Sequence, residues 1–248
     1  MLRSMRGIFG YKIQAKDGEL GKVDDFFFDD VLWVVRYLVV KTGGWLSGRK
    51  VLIIPSDFKD PNWESQTMFV DLTKEQIEKS PEIDFDKPVS RQKEKELYRY
   101  YRWSPYWTGD VSGIAPVPPV PPPVPSEIEE KKKEKEEEDT HLRSSKEVTG
   151  YRIQATDGEI GHVDDFIVDD LVWVIRYLVV DTRKWLPGRK VLVAPDWITE
   201  VSWPEEKVYV DQNKDLIEKS PEYDPYESIN RKYETRLYDF YGRPKYWD

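Results

Sequence analysis

The stretch 24–42, DDFFFDDVLWVVRYLVVKT, returns a fixed 140 residues later as 164–182, DDFIVDDLVWVIRYLVVDT. Each copy reads as a hairpin with polar edges and a very apolar second arm. If that arm is extended from Trp33, one side carries Trp33, Val35, Tyr37 and Val39, and the other Val34, Arg36, Leu38 and Val40. Both sides are mostly apolar. An antiparallel strand at a surface alternates apolar and polar residues, so this arm needs cover on both faces. A strand of a small closed barrel with something packed outside it would have that cover.

The repeat extends well beyond the arm. Residues 10–107 align without a gap onto 150–247, and roughly half the positions are identical, which is an internal duplication. Two units of about 100 residues follow, repeat 1 at 1–110 and repeat 2 at 146–248, with a Pro-rich and charged linker at 111–145. Within each unit a first strand (11–15, 151–155) meets Asp17 and Gly18, or Asp157 and Gly158, the dipeptide favoured in type I′ hairpins. Gly21 and Gly161 open a second strand, which Asp29 and Asp30, or Asp169 and Asp170, bend into the arm. Gly48 and the pair Pro187 and Gly188 supply turn chemistry before a fourth strand (49–54, 189–194), which Pro55 or Pro195 stops. A fifth strand is expected at 68–72 and 208–212.

Each unit then turns helical. Thr73 with Gln76 fits a capping box and Asn213 is the cap in the second copy, while a second helix starts at Ser90 or Asn230. Leu97, Tyr98 and Tyr101, like Leu237, Tyr238 and Tyr241, share one helical face. The expected fold class is therefore mainly β, two tandem small antiparallel barrels, each followed by short α-helices. Between them PVPPVPPPVP (116–125) is expected as a polyproline II spacer of roughly 30 Å that holds the barrels apart. The charge run 127–139 is expected as a solvated helix or disorder.

Composition narrows the function classes. There is no cysteine, which removes disulfides, thiolate metal sites and a Cys nucleophile together. The net charge of -9 is distributed as 0 over 1–110, -3 over 111–145 and -6 over 146–248. With no basic excess, nucleic acid is a disfavoured partner. No apolar run approaches the roughly 20 residues that span a bilayer, so no membrane insertion and a cytoplasmic location are expected.

These residues resemble the PRC-barrel family, named after the cytoplasmic domain of the photosynthetic reaction centre H subunit. The resemblance covers both units. It rests on Asp17, Gly18, Glu19 and Gly21 with their counterparts Asp157, Gly158, Glu159 and Gly161, on the VDDF step, on WVxRYLVV and on GRKVL before a proline. The tails, with Leu-Tyr and a final Tyr-Trp, look like the bacterial stand-alone branch. The resemblance implies a small β-barrel used as an interaction module: in the H subunit it covers the quinone side of the reaction centre, and in ribosome maturation factors it accompanies another domain on a ribosomal protein.

Among candidate sites, the pairs Asp24 with Asp25 and Asp29 with Asp30, repeated as Asp164, Asp165, Asp169 and Asp170, could bind a hard cation. The preferred reading makes them solvate the hairpin and form structural ion pairs with Arg36 and Arg176, with Asp24, Asp25, Asp164 and Asp165 first among them. Only His141 and His162 are present, so a histidine triad or a zinc cluster cannot form within one unit. No catalytic residue and no cofactor are expected. Trp33, Trp173, Tyr106, Trp107, Tyr246 and Trp247 are the candidate partner-binding residues, because Trp and Tyr dominate interface hot spots. The preferred reading packs Trp33 and Trp173 in the core or against a subunit and folds the tail aromatics back over the barrel. The expected function is a non-enzymatic interaction or scaffold protein that binds a protein partner or itself, as a homo-oligomer or filament. The alternatives are a small-ligand or cation sensor and a ribosome- or RNA-associated factor.

Overall fold

The structure is a computed structural model that describes residues 1–85, 89–107, 141–182 and 189–248. The polyproline and charged stretches at 116–125 and 127–139, and the turn at Pro187 and Gly188, lie outside the described residues. The fold is mainly β with short helices. No helix among the described residues is long and apolar enough to cross a membrane.

In the first unit β2 (Lys12–Ala15), β3 (Gly18–Asp29), β4 (Val34–Thr42) and β5 (Lys50–Ile53) pair antiparallel in succession. After a 3-10 turn come β6 (Phe58–Asn62), which sequence reading passed over, and β7 (Thr67–Val70). β7 returns to lie parallel to β2, so the sheet is mixed and not a simple meander. Its hydrogen bonding is open at β5 and β6; no ladder joins these two among the described residues. The second unit repeats the plan with β9 (Arg152–Ala155), β10 (Gly158–Asp169), β11 (Val174–Asp181), β12 (Lys190–Val193), β13 (Ile198–Ser202) and β14 (Lys207–Val210).

Local chemistry explains several of these elements. Gly21 is required because a Cβ there would sit 2.1 Å from the Lys41 carbonyl oxygen, with Gly161 in the same position against Asp181. The first hairpin is not the expected type I′ turn. Ala15 pairs with Gly18 around Lys16 and Asp17, and neither central residue has the positive φ that type I′ demands. The Asp17 carboxylate instead accepts from Lys74 N (2.9 Å) at the start of helix α1 (Lys74–Glu78), as Asp157 does from Lys214 N (2.8 Å) on α4 (Lys214–Lys219). Thr73 and Gln76 form the reciprocal capping box, and Ser90 and Asn230 cap α2 (Arg91–Tyr101) and α5 (Arg231–Tyr241). The short α3 (Ser145–Val148) precedes the second unit.

The arm's two faces are divided by a β-bulge. Val35 pairs with Phe28 and Tyr37 with Phe27, so Arg36 is the extra residue on β4, and Asp24 is likewise extra on β3. Each bulge takes one charged side chain out of the ladder and shifts the alternation by one. Val35 therefore joins Leu38 and Val40 in the main core, while Tyr37 and Val39 face outward. The outward face is covered by the unit's own α2 through Leu97 and Tyr98.

The two units are not held apart. β1 (Leu2–Ser4) leaves the first unit and pairs with β10 of the second, and β8 (Leu142–Ser144) precedes the second unit and pairs with β3 of the first. Residues 142–144, read from sequence as linker, are thus a strand of the first unit's sheet. The hairpins also meet directly: Val35 N donates to Trp173 O (2.8 Å) and Ile175 N to Trp33 O (2.7 Å). These contacts are reciprocal, as across a two-fold axis. One sheet and one apolar core run through both units, with Phe28 and Phe166 in contact at 5.5 Å between ring centroids.

Candidate interaction site

The four aspartate pairs are receptors for the exchanged strands. On the first arm, Arg3 donates to Asp170 (2.5 Å), Ser4 Oγ to Asp165 (2.5 Å), and the Arg6 backbone to Asp165 (3.0 Å), while the Arg6 guanidinium pairs with Asp164 (3.1 Å). On the second, Arg143 donates to Asp30 (2.9 Å), Ser144 Oγ to Asp25 (2.5 Å), the Lys146 backbone to Asp25 (3.2 Å) and Lys146 Nζ to Asp24 (2.9 Å). Lys50 and Lys190 complete the partners of Asp24 and Asp164. Burial would raise both of these carboxyls, but Lys146 with Lys50, and Lys190 with Arg6, outweigh it and hold them below the ordinary 3.8. Asp165 is deeper, and burial pushes it up despite the hydrogen bonds from Ser4, Phe166 N and Arg6 N.

Of the aspartates expected to pair with Arg36 and Arg176, one in each unit does so. Arg36 pairs with Asp29 (2.9 Å) and Arg176 with Asp169 (3.9 Å), not with Asp24, Asp25, Asp164 or Asp165. The bulges account for this: Asp24 and Asp164 leave the ladder and reach the incoming arm, whereas Asp29 and Asp169 end the strand beside each arginine. Each guanidinium also stacks on a tail tyrosine, Arg36 on Tyr106 (4.0 Å) and Arg176 on Tyr246 (4.2 Å).

Trp33 and Trp173 are turned into the chain's own packing, at 8% and 9% exposure. Both are left-handed residues (φ 55 and 54), held by the inter-unit hydrogen bonds at their carbonyls. Trp33 stacks on Phe28 at 5.4 Å. The tail aromatics fold back as well. Trp107 meets Tyr98 edge-on at 4.6 Å, and Trp247 meets Tyr238 at 5.2 Å. Tyr106 and Tyr246 donate to the buried glutamates Glu94 (2.9 Å) and Glu234 (2.8 Å). These glutamates also accept from Tyr37 (2.6 Å) and Tyr177 (2.8 Å) of the apolar arms. Burial raises Glu94, with Tyr37, Arg91 and Tyr106 pulling the other way.

Sequence reasoning passed over both the arms and these glutamates. The signal for the arms is Leu-Arg-Ser at 2–4 and again at 142–144, in the same 140-residue register but upstream of residue 10, where the alignment began. The glutamates have a signal too, since Arg91 and Glu94 recur as Arg231 and Glu234.

One cleft open to solvent among the described residues is lined by both units, including the tip of the second unit's hairpin. It has a volume of about 650 Å³ and is walled by Arg36, Tyr106, Phe58, Pro61 and Trp63 on one side and by Asp170, Leu171, Val172 and Trp173 on the other. Leu171 is 82% exposed and Val172 54%. Trp63 is held flat beneath the Arg3 guanidinium at 3.6 Å. The second unit also brings His162, Asp164 and Asp181 together, with ligand atoms within 4.8 Å of one another; the first unit has Lys22 and Lys41 in the places of His162 and Asp181. No family model and no curated protein matches the chain.

Proposed function

We propose that the chain is a non-enzymatic protein-interaction module made of two PRC-barrel-type units docked as one platform, and that the cleft beneath the second unit's hairpin tip takes the protein partner. The observation that carries this reading is the exposed Leu171 and Val172 facing a wall of Arg36, Tyr106 and Trp63. Arg, Tyr and Trp are the residues in which interface energy concentrates, and an exposed apolar pair on a braced hairpin offers a partner apolar area with little ordering cost. The PRC-barrel resemblance supports the same class, since that family serves as an interaction module.

The test replaces Leu171 and Val172 with Asp and compares the proteins cross-linked to the wild type and to the variant in native lysate. Loss of a stoichiometric partner at unchanged melting temperature is expected. An unchanged set of cross-linked proteins would refute the cleft as the site. Cation sensing is a second reading, motivated by His162, Asp164 and Asp181. It ranks lower because Arg6 and Lys190 already occupy Asp164, so a cation would have to displace them. Titration with zinc and calcium distinguishes the two: a melting shift abolished by His162→Lys would favour the sensor.

A further inference from the structure

Each exchanged arm meets its receptor through one set of contacts, made twice. Leucine, arginine and serine occupy equivalent places in both arms, and a basic residue follows two positions later, Arg6 or Lys146. The receptors are also the same: Asp30 and Asp170 take the arginine, Asp25 and Asp165 the serine, and Asp24 and Asp164 the second cation. Three residues of antiparallel ladder accompany each set. Nothing in this chemistry requires that arm and receptor belong to one polypeptide.

Topology points the same way. Each arm runs into its own unit, through residues 5–11 in the first and 145–151 in the second, so arm and unit travel together. Every contact between the units would be reproduced if the first unit of one molecule sat on the second unit of another. The only covalent constraint on that choice is the connection 108–140, whose 33 residues reach at most roughly 110 Å. Such a tether makes the contact within one chain an intramolecular one with an effective concentration, which favours closure within one chain when protein is dilute and loses that advantage as protein concentration approaches it.

We propose that the arm and its aspartate receptor form a transferable docking site whose partner is a second copy of this chain, so that two molecules assemble as a reciprocally arm-exchanged dimer. The proposal shares Asp170 with the wall of the cleft but leaves Leu171 and Val172, which carry the cleft reading, free.

Charge reversal across the Arg–Asp pairs tests it in the full chain. One variant carries Arg3→Asp and Arg143→Asp, making both arms acidic. The other carries Asp30→Arg and Asp170→Arg, making both receptors basic. Within either chain every arm now faces a receptor of like charge, whereas an exchanged dimer of one with the other restores all four pairs. Native mass spectrometry of the mixture is expected to show a 1:1 species at twice the mass of one chain, absent from either variant alone. A chain with all four substitutions is matched internally and is expected to be monomeric when dilute. A mixture in which both folded variants stay separate would overturn the proposal. Should either variant fail to fold, the wild type still decides: isotopically light and heavy chains, mixed and cross-linked at about 1 mM before mass analysis, are expected to yield mixed-mass dimers. Monomers alone at every concentration would overturn it.

Discussion

At the scale of single residues, buried polar groups specify the packing of the helices against the sheet. Glu94 is fully buried and accepts from Tyr37 and Tyr106 while pairing with Arg91 (2.5 Å). Removing it leaves the buried Tyr37 hydroxyl, the half-buried Tyr106 hydroxyl and the Arg91 guanidinium without this acceptor. Glu94→Ala is expected to cost about 3–5 kcal/mol, the usual penalty for breaking one side of a buried pair. Glu94→Gln keeps an acceptor oxygen and is expected to cost less than half of that in denaturant melts. Arg102 offers the opposite case. It ends α2 in the left-handed region (φ 61), where the second unit has Gly242 at the same angle. Arg102→Gly is expected to raise stability by up to about 1 kcal/mol, relief of the αL strain being partly offset by the freer unfolded chain; urea denaturation checks it.

The elements show how charge is used along the long strands. Asp24 and Asp164 have depressed carboxyls, so below 3.8 the unfolded chain binds more protons than the folded one. Their contribution is present above 3.8 and is lost as pH falls through their lowered folded values. Asp165, raised by burial, has the opposite sign: its contribution is present below 3.8 and fades as pH rises through its raised value. Melting temperatures of the wild type and of a double Asp24→Asn, Asp164→Asn variant, followed from about pH 6 to about pH 2.5, are expected to converge on the acid side. Curves that stay parallel below 3.8 would show that these two carboxylates do not anchor the arms. The same elements mark where sequence reading was sound. The capped helix starts and the long apolar arm follow from local chemistry and periodicity. The face assignment of Val35 did not, because a bulge at Arg36 is set by what β3 and β4 must accommodate together.

For the molecule as a whole, the two units are packed as one body. The core is continuous across them, and each lends a strand to the other. If a protease site is placed within residues 111–125 and cut, the halves are expected to co-elute as a 1:1 complex. Calorimetry of the uncut chain is expected to give a single transition. Halves that separate on cutting, or two well-resolved transitions, would contradict a shared core. The aromatic tails belong to this scale as well. In sequence Tyr106, Trp107, Tyr246 and Trp247 can either anchor a partner or fold back over their own unit; they fold onto α2 and α5, and of the four Tyr106 lines the cleft.

The sequence alone determined the duplication, the mainly β character, the caps and the arm that must be buried on both faces, since each of these is a matter of periodicity, local propensity or simple repetition. Only the tertiary structure decided what covers that arm and where its charges go. Among the partners of Asp24, Asp25, Asp164 and Asp165, the residues Ser4, Arg6, Ser144 and Lys146 lie more than a hundred residues away, on or just after strands of three residues too short to carry a periodic signal. Whether two equal units stay apart or exchange arms depends on complementarity between distant surfaces, and no local window of sequence records it. The apolar arm 33–42 is therefore covered by its own unit's helix on one side and by a core shared with its repeat on the other.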